Sequence, residues 1–150
     1  MNISKALKVK NRLVGELGRL QDIFKRENSR RNDNVSEVDP AKAYEAVLEA
    51  FDKVVTLKGA INKATAGIAD KLAALAEYKT YLNFIQSVPV KEGPELVNGS
   101  YGKDPIPYIW FAYLNRATID DKVAHYQNKI NDLQDEIDAY NATTQVDFAE

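Results

Sequence analysis

The chain has 150 residues, 45% of them hydrophobic and 28% charged, and 20 Lys plus Arg against 22 Asp plus Glu leave a net charge of -2. That is one domain's worth of a globular or helical chain. The absence of cysteine excludes a disulfide scaffold, a cysteine nucleophile and thiolate metal sites, and a single histidine excludes histidine-rich metal sites and HExxH helices.

The first helix is expected over 3–27. Its apolar seam reads Ile3, Ala6, Lys10, Leu13, Leu17, Leu20 and Phe24, with Leu7 and Val14 widening the face. Gly15 and Gly18 lie inside it at a cost of about 1 kcal/mol each relative to alanine, which points to close approach of a neighbouring backbone. At its end Lys25, Arg26, Arg30 and Arg31 gather with Asn28, Ser29 and Asn32. Arginine forks match phosphate oxygens, so Arg26, Arg30 and Arg31 are candidates for holding an anionic small molecule. Cations at a helix C-terminus also complement the helix dipole and need no ligand.

A polar turn over 28–38 separates this helix from Asp39-Pro40, a helix start with Asp as N-cap and Pro in the first turn. Val47, Val54, Ile61, Ile68, Leu75 and Leu82 then recur every seven residues, with Phe51, Lys58, Thr65, Leu72 and Lys79 as companions. The phase is kept through Gly59 and Gly67, so one helix is expected over 40–87, about 70 Å long, with Gly67 as its weak point.

Residues 88–117 read as a loop with a strand-like insertion. Pro89, Pro94, Pro105 and Pro107 preclude continuous helix, and Tyr108 to Leu114 is an unbroken apolar and aromatic run. Segments 88–95 and 96–101 are candidate pairing partners for it. Tyr108, Trp110 and Tyr113 could stack on a flat ligand or form a contact between subunits.

The last helix is expected over 119–141, with Thr118 as N-cap. Ile119, Val123, Tyr126, Ile130, Leu133, Ile137 and Tyr140 step 4, 3, 4, 3, 4, 3 without a break, a coiled-coil seam. Residues 1–31 carry +6 and residues 118–150 carry -6, which suggests pairing between the first and last helices. His125 lies off the seam with no nucleophile nearby, and reads as a surface histidine. The carboxylates of Asp132, Asp135, Glu136 and Asp138 lack the spacing of an EF-hand or di-iron site.

Three stretches resemble the septicolysin-like family of bacterial helical proteins. They are Ile3-Ser4-Lys5-Ala6-Leu7 at the start, Leu57-Lys58-Gly59-Ala60-Ile61-Asn62-Lys63-Ala64-Thr65 in the long helix, and Ile130-Asn131-Asp132-Leu133-Gln134-Asp135-Glu136-Ile137 near the end, closing on Asn141-Ala142-Thr143-Thr144. Alanine stands where the family's closing motif has tryptophan. The resemblance implies a helical, self-associating protein and names no catalytic residue.

The expected fold is all-α: an elongated helical hairpin or coiled-coil bundle of three long helices in a single domain, with a short strand-like aromatic insertion. Single seams bury little area, so a homo-oligomer is expected. The leading functional reading is a non-enzymatic, self-associating binding or scaffold protein without cofactor or metal. The alternative is an oligomer that sequesters a nucleotide-like anion, its phosphates on Arg26, Arg30 and Arg31 and its base on Tyr108, Trp110 or Tyr113, in a phage or bacterial signalling setting. A membrane-active role follows only from the resemblance. Net charge argues against bulk nucleic-acid binding, and no apolar run of membrane-spanning length or secretion leader is found, so a cytoplasmic location is expected.

Overall fold

A computed structural model of the chain describes residues 1–99 and 102–149. The chain is mostly helical with one small antiparallel sheet. In order come α1 (Ile3–Glu27), α2 (Pro40–Thr65), a 3-10 turn (Ala66–Ile68), α3 (Ala69–Ser87), β1 (Gly93–Val97), β2 (Ile106–Trp110) and α4 (Arg116–Thr143). They fall into two compact units, one of residues 1–69 with 137–150 and one of residues 70–136.

In the first unit α1 starts on Asn2, whose side chain accepts from the Lys5 N–H at 2.9 Å, and α2 starts on Asp39, which accepts from Ala41 at 2.9 Å. The two helices run antiparallel: Phe24 meets Tyr44 with ring centroids 5.1 Å apart, while Ile3 shares a core with Ile61. That core comprises Ile3, Ala6, Val9, Leu13, Val54, Leu57, Ile61 and Val146. Val9 takes the place expected of Lys10, because a buried ammonium would need a partner and a buried valine needs none.

The heptad Val54, Ile61, Ile68, Leu75 and Leu82 is buried throughout. Its flank is on the other side from expectation. Ala50, Leu57 and Ile85, three residues after heptad positions, are buried, while Phe51, Lys58, Leu72 and Lys79, four residues after, are exposed. The later flank contains two lysines and a threonine, so burying it would desolvate charges. The flank with Ala50, Leu57 and Ala64 is apolar, and it is the one that packs.

The chain termini close this core. Met1 O accepts from the Val146 N–H at 2.7 Å and Thr144 O from the Ile3 N–H at 3.1 Å, and the Asn2 side chain donates to Ala142 O at 3.0 Å. This short bridge delivers Val146, 2% exposed, into the space between α1 and α2, with Phe148 packed beside it.

The helix expected over 40–87 is interrupted by the 3-10 turn at Ala66–Ile68. The tighter turn frees the Ala64 carbonyl, which accepts from the Tyr140 hydroxyl at 3.0 Å. A Cβ on Gly67 would lie 2.7 Å from that hydroxyl oxygen. Glycine therefore fits here without displacing the Tyr140 side chain.

In the second unit α3 and α4 run antiparallel. Lys71 pairs with Glu136 toward one end, and Tyr81 meets Tyr126 at 4.5 Å further along. Leu75, Leu82, Ile85, Ile119 and Ile130 are buried within this unit. Glu136 of α4 is thus met by a cation of α3, whereas Lys25, Arg30 and Arg31 near the end of α1 make local pairs with Asp22, Glu27 and Asp33.

Helix α4 begins three residues before its expected start. Asn115, not Thr118, is the capping side chain: its Oδ1 accepts from the Thr118 N–H and hydroxyl, both at 2.9 Å. The strand-like piece expected over Tyr108–Leu114 is β2, shifted to Ile106–Trp110, and its partner β1 straddles both candidate segments. Ser100 and Tyr101 of the segment 96–101 lie outside the described residues.

Gly67→Ala is expected to destabilise the chain by about 1–3 kcal/mol through overpacking, even though alanine is the better helix former. Tyr140→Phe is expected to cost about 1 kcal/mol for the lost hydrogen bond. Because the hydroxyl is what the new methyl would strike, urea denaturation of the double variant should show less than the sum of the two losses.

Candidate interaction surfaces

Arg26, Arg30 and Arg31 are all exposed, at the end of α1 and in the turn after it. Arg30 Nη1 donates to Glu27 Oε2 at 3.3 Å. Arg31 grips Asp33 with two bonds, Nε to Oδ1 at 3.0 Å and Nη2 to Oδ2 at 2.7 Å. Carboxylates thus offset the charge of two of the three guanidinium groups. Arg26 borders an open groove with Gly15, Gly18 and Asp22 on the outer side of α1. Among the described residues no backbone makes the approach expected at these glycines, since a Cβ at either would meet nothing within 4 Å.

A second open groove, about 500 Å³, lies between α1, α2 and the C-terminal tail. Arg12 and Glu16 of α1 and Asp52 and Lys53 of α2 line it, so its charges balance and it favours neither sign of ligand.

Tyr108, Trp110 and Tyr113 belong to the second unit, the arginines to the first. The structure brings Tyr108 and Trp110 onto one face of the two-stranded ribbon. The register pairs Gly93 with Trp110, Pro94 with Ile109, Glu95 with Tyr108, Leu96 with Pro107 and Val97 with Ile106. Partners in an antiparallel pair share a face, and neighbours along a strand alternate. One face thus carries Glu95, Val97, Ile106, Tyr108 and Trp110, and the other Pro94, Leu96, Pro107 and Ile109. Gly93 enters β1 at φ +89°, a conformation open to glycine.

The mixed face is organised around Glu95. Its carboxylate accepts from the Trp110 indole N–H and pairs with Lys91, whose ammonium lies 4.5 Å from the Trp110 ring centroid. Hydrogen bonds from Lys91 and Trp110 hold the Glu95 carboxyl below the ordinary glutamate range. Trp110 is therefore committed to a local cluster, while Tyr113 is fully exposed beyond the end of β2.

Two features were not read from the sequence. On α2 the exposed side chains Tyr44, Leu48, Phe51 and Val55 step 4, 3, 4. They form a second apolar stripe roughly 130° around the helix from the buried one. The heptad of α2 masked this stripe, although its spacing was legible. Between α3 and α4, Tyr78, Tyr81 and Tyr126 cluster, with Lys129 Nζ 5.5 Å from the Tyr78 and Tyr126 rings. Only the register of two helices brings these residues together. His125 is exposed and meets Tyr126 edge-on, with ring centroids 5.2 Å apart.

Among the described residues no group of three or more histidine, aspartate or glutamate side chains is placed to hold a metal ion. No helix among them is long and apolar enough to cross a membrane. The chain matches no known protein family, no curated protein and no solved structure.

The chain's single tryptophan makes the Glu95 cluster directly observable. Because the folded carboxyl titrates below its unfolded value, its contribution to the ribbon is complete above the ordinary glutamate range and is lost as pH falls through the folded pKa. Trp110 emission should change with a midpoint below that range, and Glu95→Gln should abolish the transition.

Proposed function

We propose that this is a non-enzymatic, self-associating helical protein that acts as a scaffold or binding module, its helices forming a coiled-coil-like bundle completed by other copies of the chain. The observation that carries the reading is the amount of apolar surface left uncovered. The accessible surface is 11073 Å². Two separate globules of the sizes of the two units would expose about 9,200 Å². The excess includes the α2 stripe and the ribbon, where large apolar side chains are exposed in rows. Contiguous exposed apolar surface of this kind marks contact sites between proteins. A second copy is the occupant that a narrow heptad stripe suits best, since helices with a two-in-seven seam pack on one another.

The absence of a nucleophile beside His125, together with the balanced charges of the groove between α1, α2 and the C-terminal tail, supports binding over catalysis. Sequestration of a nucleotide-like anion is the weaker reading, because Arg30 and Arg31 are each occupied by a carboxylate. A membrane-active role has less support, because the apolar side of the basic amphipathic helix α1 (Ile3, Ala6, Val9 and Leu13) is already buried against α2.

Light scattering on the full chain should return at least twice 16.8 kDa at about 50 µM, a concentration where contacts of micromolar affinity are populated. A mass of one chain would overturn the self-association reading. Nucleotides at millimolar concentration should leave the melting temperature unchanged, and a stabilisation lost in Arg30→Ala with Arg31→Ala would shift the assignment to sequestration. Dye-loaded vesicles should not leak.

A further inference from the structure

We propose that the exposed stripe of α2 packs antiparallel on the same stripe of a second copy of the chain, across a two-fold axis. This pairing rests on the self-association reading and gives it a surface and a direction.

The stripe is a second helical seam. Tyr44, Leu48, Phe51 and Val55 step 4, 3, 4, and Lys58 and Asn62 continue the rhythm by 3 and 4. The four apolar side chains are 48%, 44%, 50% and 51% exposed, so about half of each is left uncovered. A stripe this narrow suits another helix and not a sheet.

Charge selects the second copy. Glu45, Asp52 and Lys63 each follow a stripe position by one residue and share one border, about 80° from the stripe's centre. The border is acidic toward the start of α2 and basic toward its end, where Lys58 adds a cation on the stripe itself. All four are exposed, and among the described residues none has an ion-pair partner. A strip whose sign reverses along its length complements itself when turned end to end. A parallel copy would set like charge on like. An unrelated partner would need the same reversal in the opposite sense, which a second copy has by identity.

One register satisfies all the layers. It sets Phe51 beside Val55 of the other copy, Leu48 beside Lys58, and Tyr44 beside Asn62, while Glu45 of each copy comes beside Lys63 of the other. The apolar layers are then central and the polar ones lie at the ends, as in other protein interfaces. The Lys58 stem can cover Leu48 with its ammonium in water. Asp52 is the exception, since it lies next to the axis and meets its own copy.

The four apolar side chains, all on this one stripe, present roughly 400 Å² per copy. With a rim of about 200 Å² from the exposed charged stems, the pair buries about 1,200 Å², the low end of specific interfaces. A contact of micromolar affinity is expected.

Light scattering on the full chain from about 1 to about 100 µM at low ionic strength reads this contact, with circular dichroism to confirm helix content. Phe51→Ala removes central apolar area while favouring helix, and should weaken self-association about tenfold or more. Glu45→Lys and Lys63→Glu should each weaken it about three- to tenfold, because each sets two like-charged pairs across the axis. The double variant restores opposite pairs and should return to within about threefold of the unmodified chain. An equimolar mixture of the two single variants should associate more tightly than either alone, which no partner other than a second copy reproduces. Asp52→Asn removes the repulsion at the axis and should tighten the contact. If the unmodified chain self-associates but Phe51→Ala stays within about threefold of it, the double variant fails to recover, or Asp52→Asn weakens the contact, the α2 pairing is overturned and self-association stands. If the unmodified chain is monomeric throughout, both fall.

Discussion

The packing of α1 against one side of α2 constrains everything else in the first unit. Helix α2 carries two apolar stripes, and a single partner helix covers one. Burying Val54, Leu57 and Ile61 selects the flank free of lysines, and it turns Leu48, Phe51 and Val55 outward, while Tyr44 keeps only its contact with Phe24. The buried stripe is still only a narrow seam between two helices. Val146, carried in by the bridge between the chain ends, fills the remaining gap. Stability and exposed surface thus follow from one choice of helix face.

The second unit meets the same constraint by another route. Helices α3 and α4 bury single seams, and between them the tyrosines and Lys129 supply ring and cation contacts in place of a broad aliphatic core. The ribbon has no helix over its bare face. Its polar groups are settled locally by Lys91, Glu95 and Trp110, and Pro94 and Pro107 each remove one N–H donor from their strands. What remains is a face of Pro94, Leu96, Pro107 and Ile109 that carries no charge.

In the candidate ligand site, residue type and local pairing compete. Arg26, Arg30 and Arg31 have the chemistry of phosphate holders, yet Glu27 and Asp33 are their near neighbours in sequence and take two of them. Trp110 has the chemistry of a stacking platform, yet its N–H and ring are engaged by Glu95 and Lys91. Local partners satisfy these groups before a distant ligand is needed.

Hydrophobic periodicity by itself located the helical stretches, though not the 3-10 break at Ala66–Ile68 or the start of α4, and it gave the heptad buried from Val54 to Leu82 and the seam of α4, because a 3.6-residue turn imposes its spacing on any helix that buries one side. The helix start at Asp39 was equally local, since a cap acts over three residues. The second flank of α2, the role of Val146, the fit of glycine at 67 and the fate of the arginines were decided by the tertiary structure. Each depends on residues far apart in the chain or on a choice between faces that propensity leaves equal. Composition and charge excluded whole classes of chemistry at the outset. Which apolar face is left bare, and is therefore available to a partner, is decided only when every other face has found its cover.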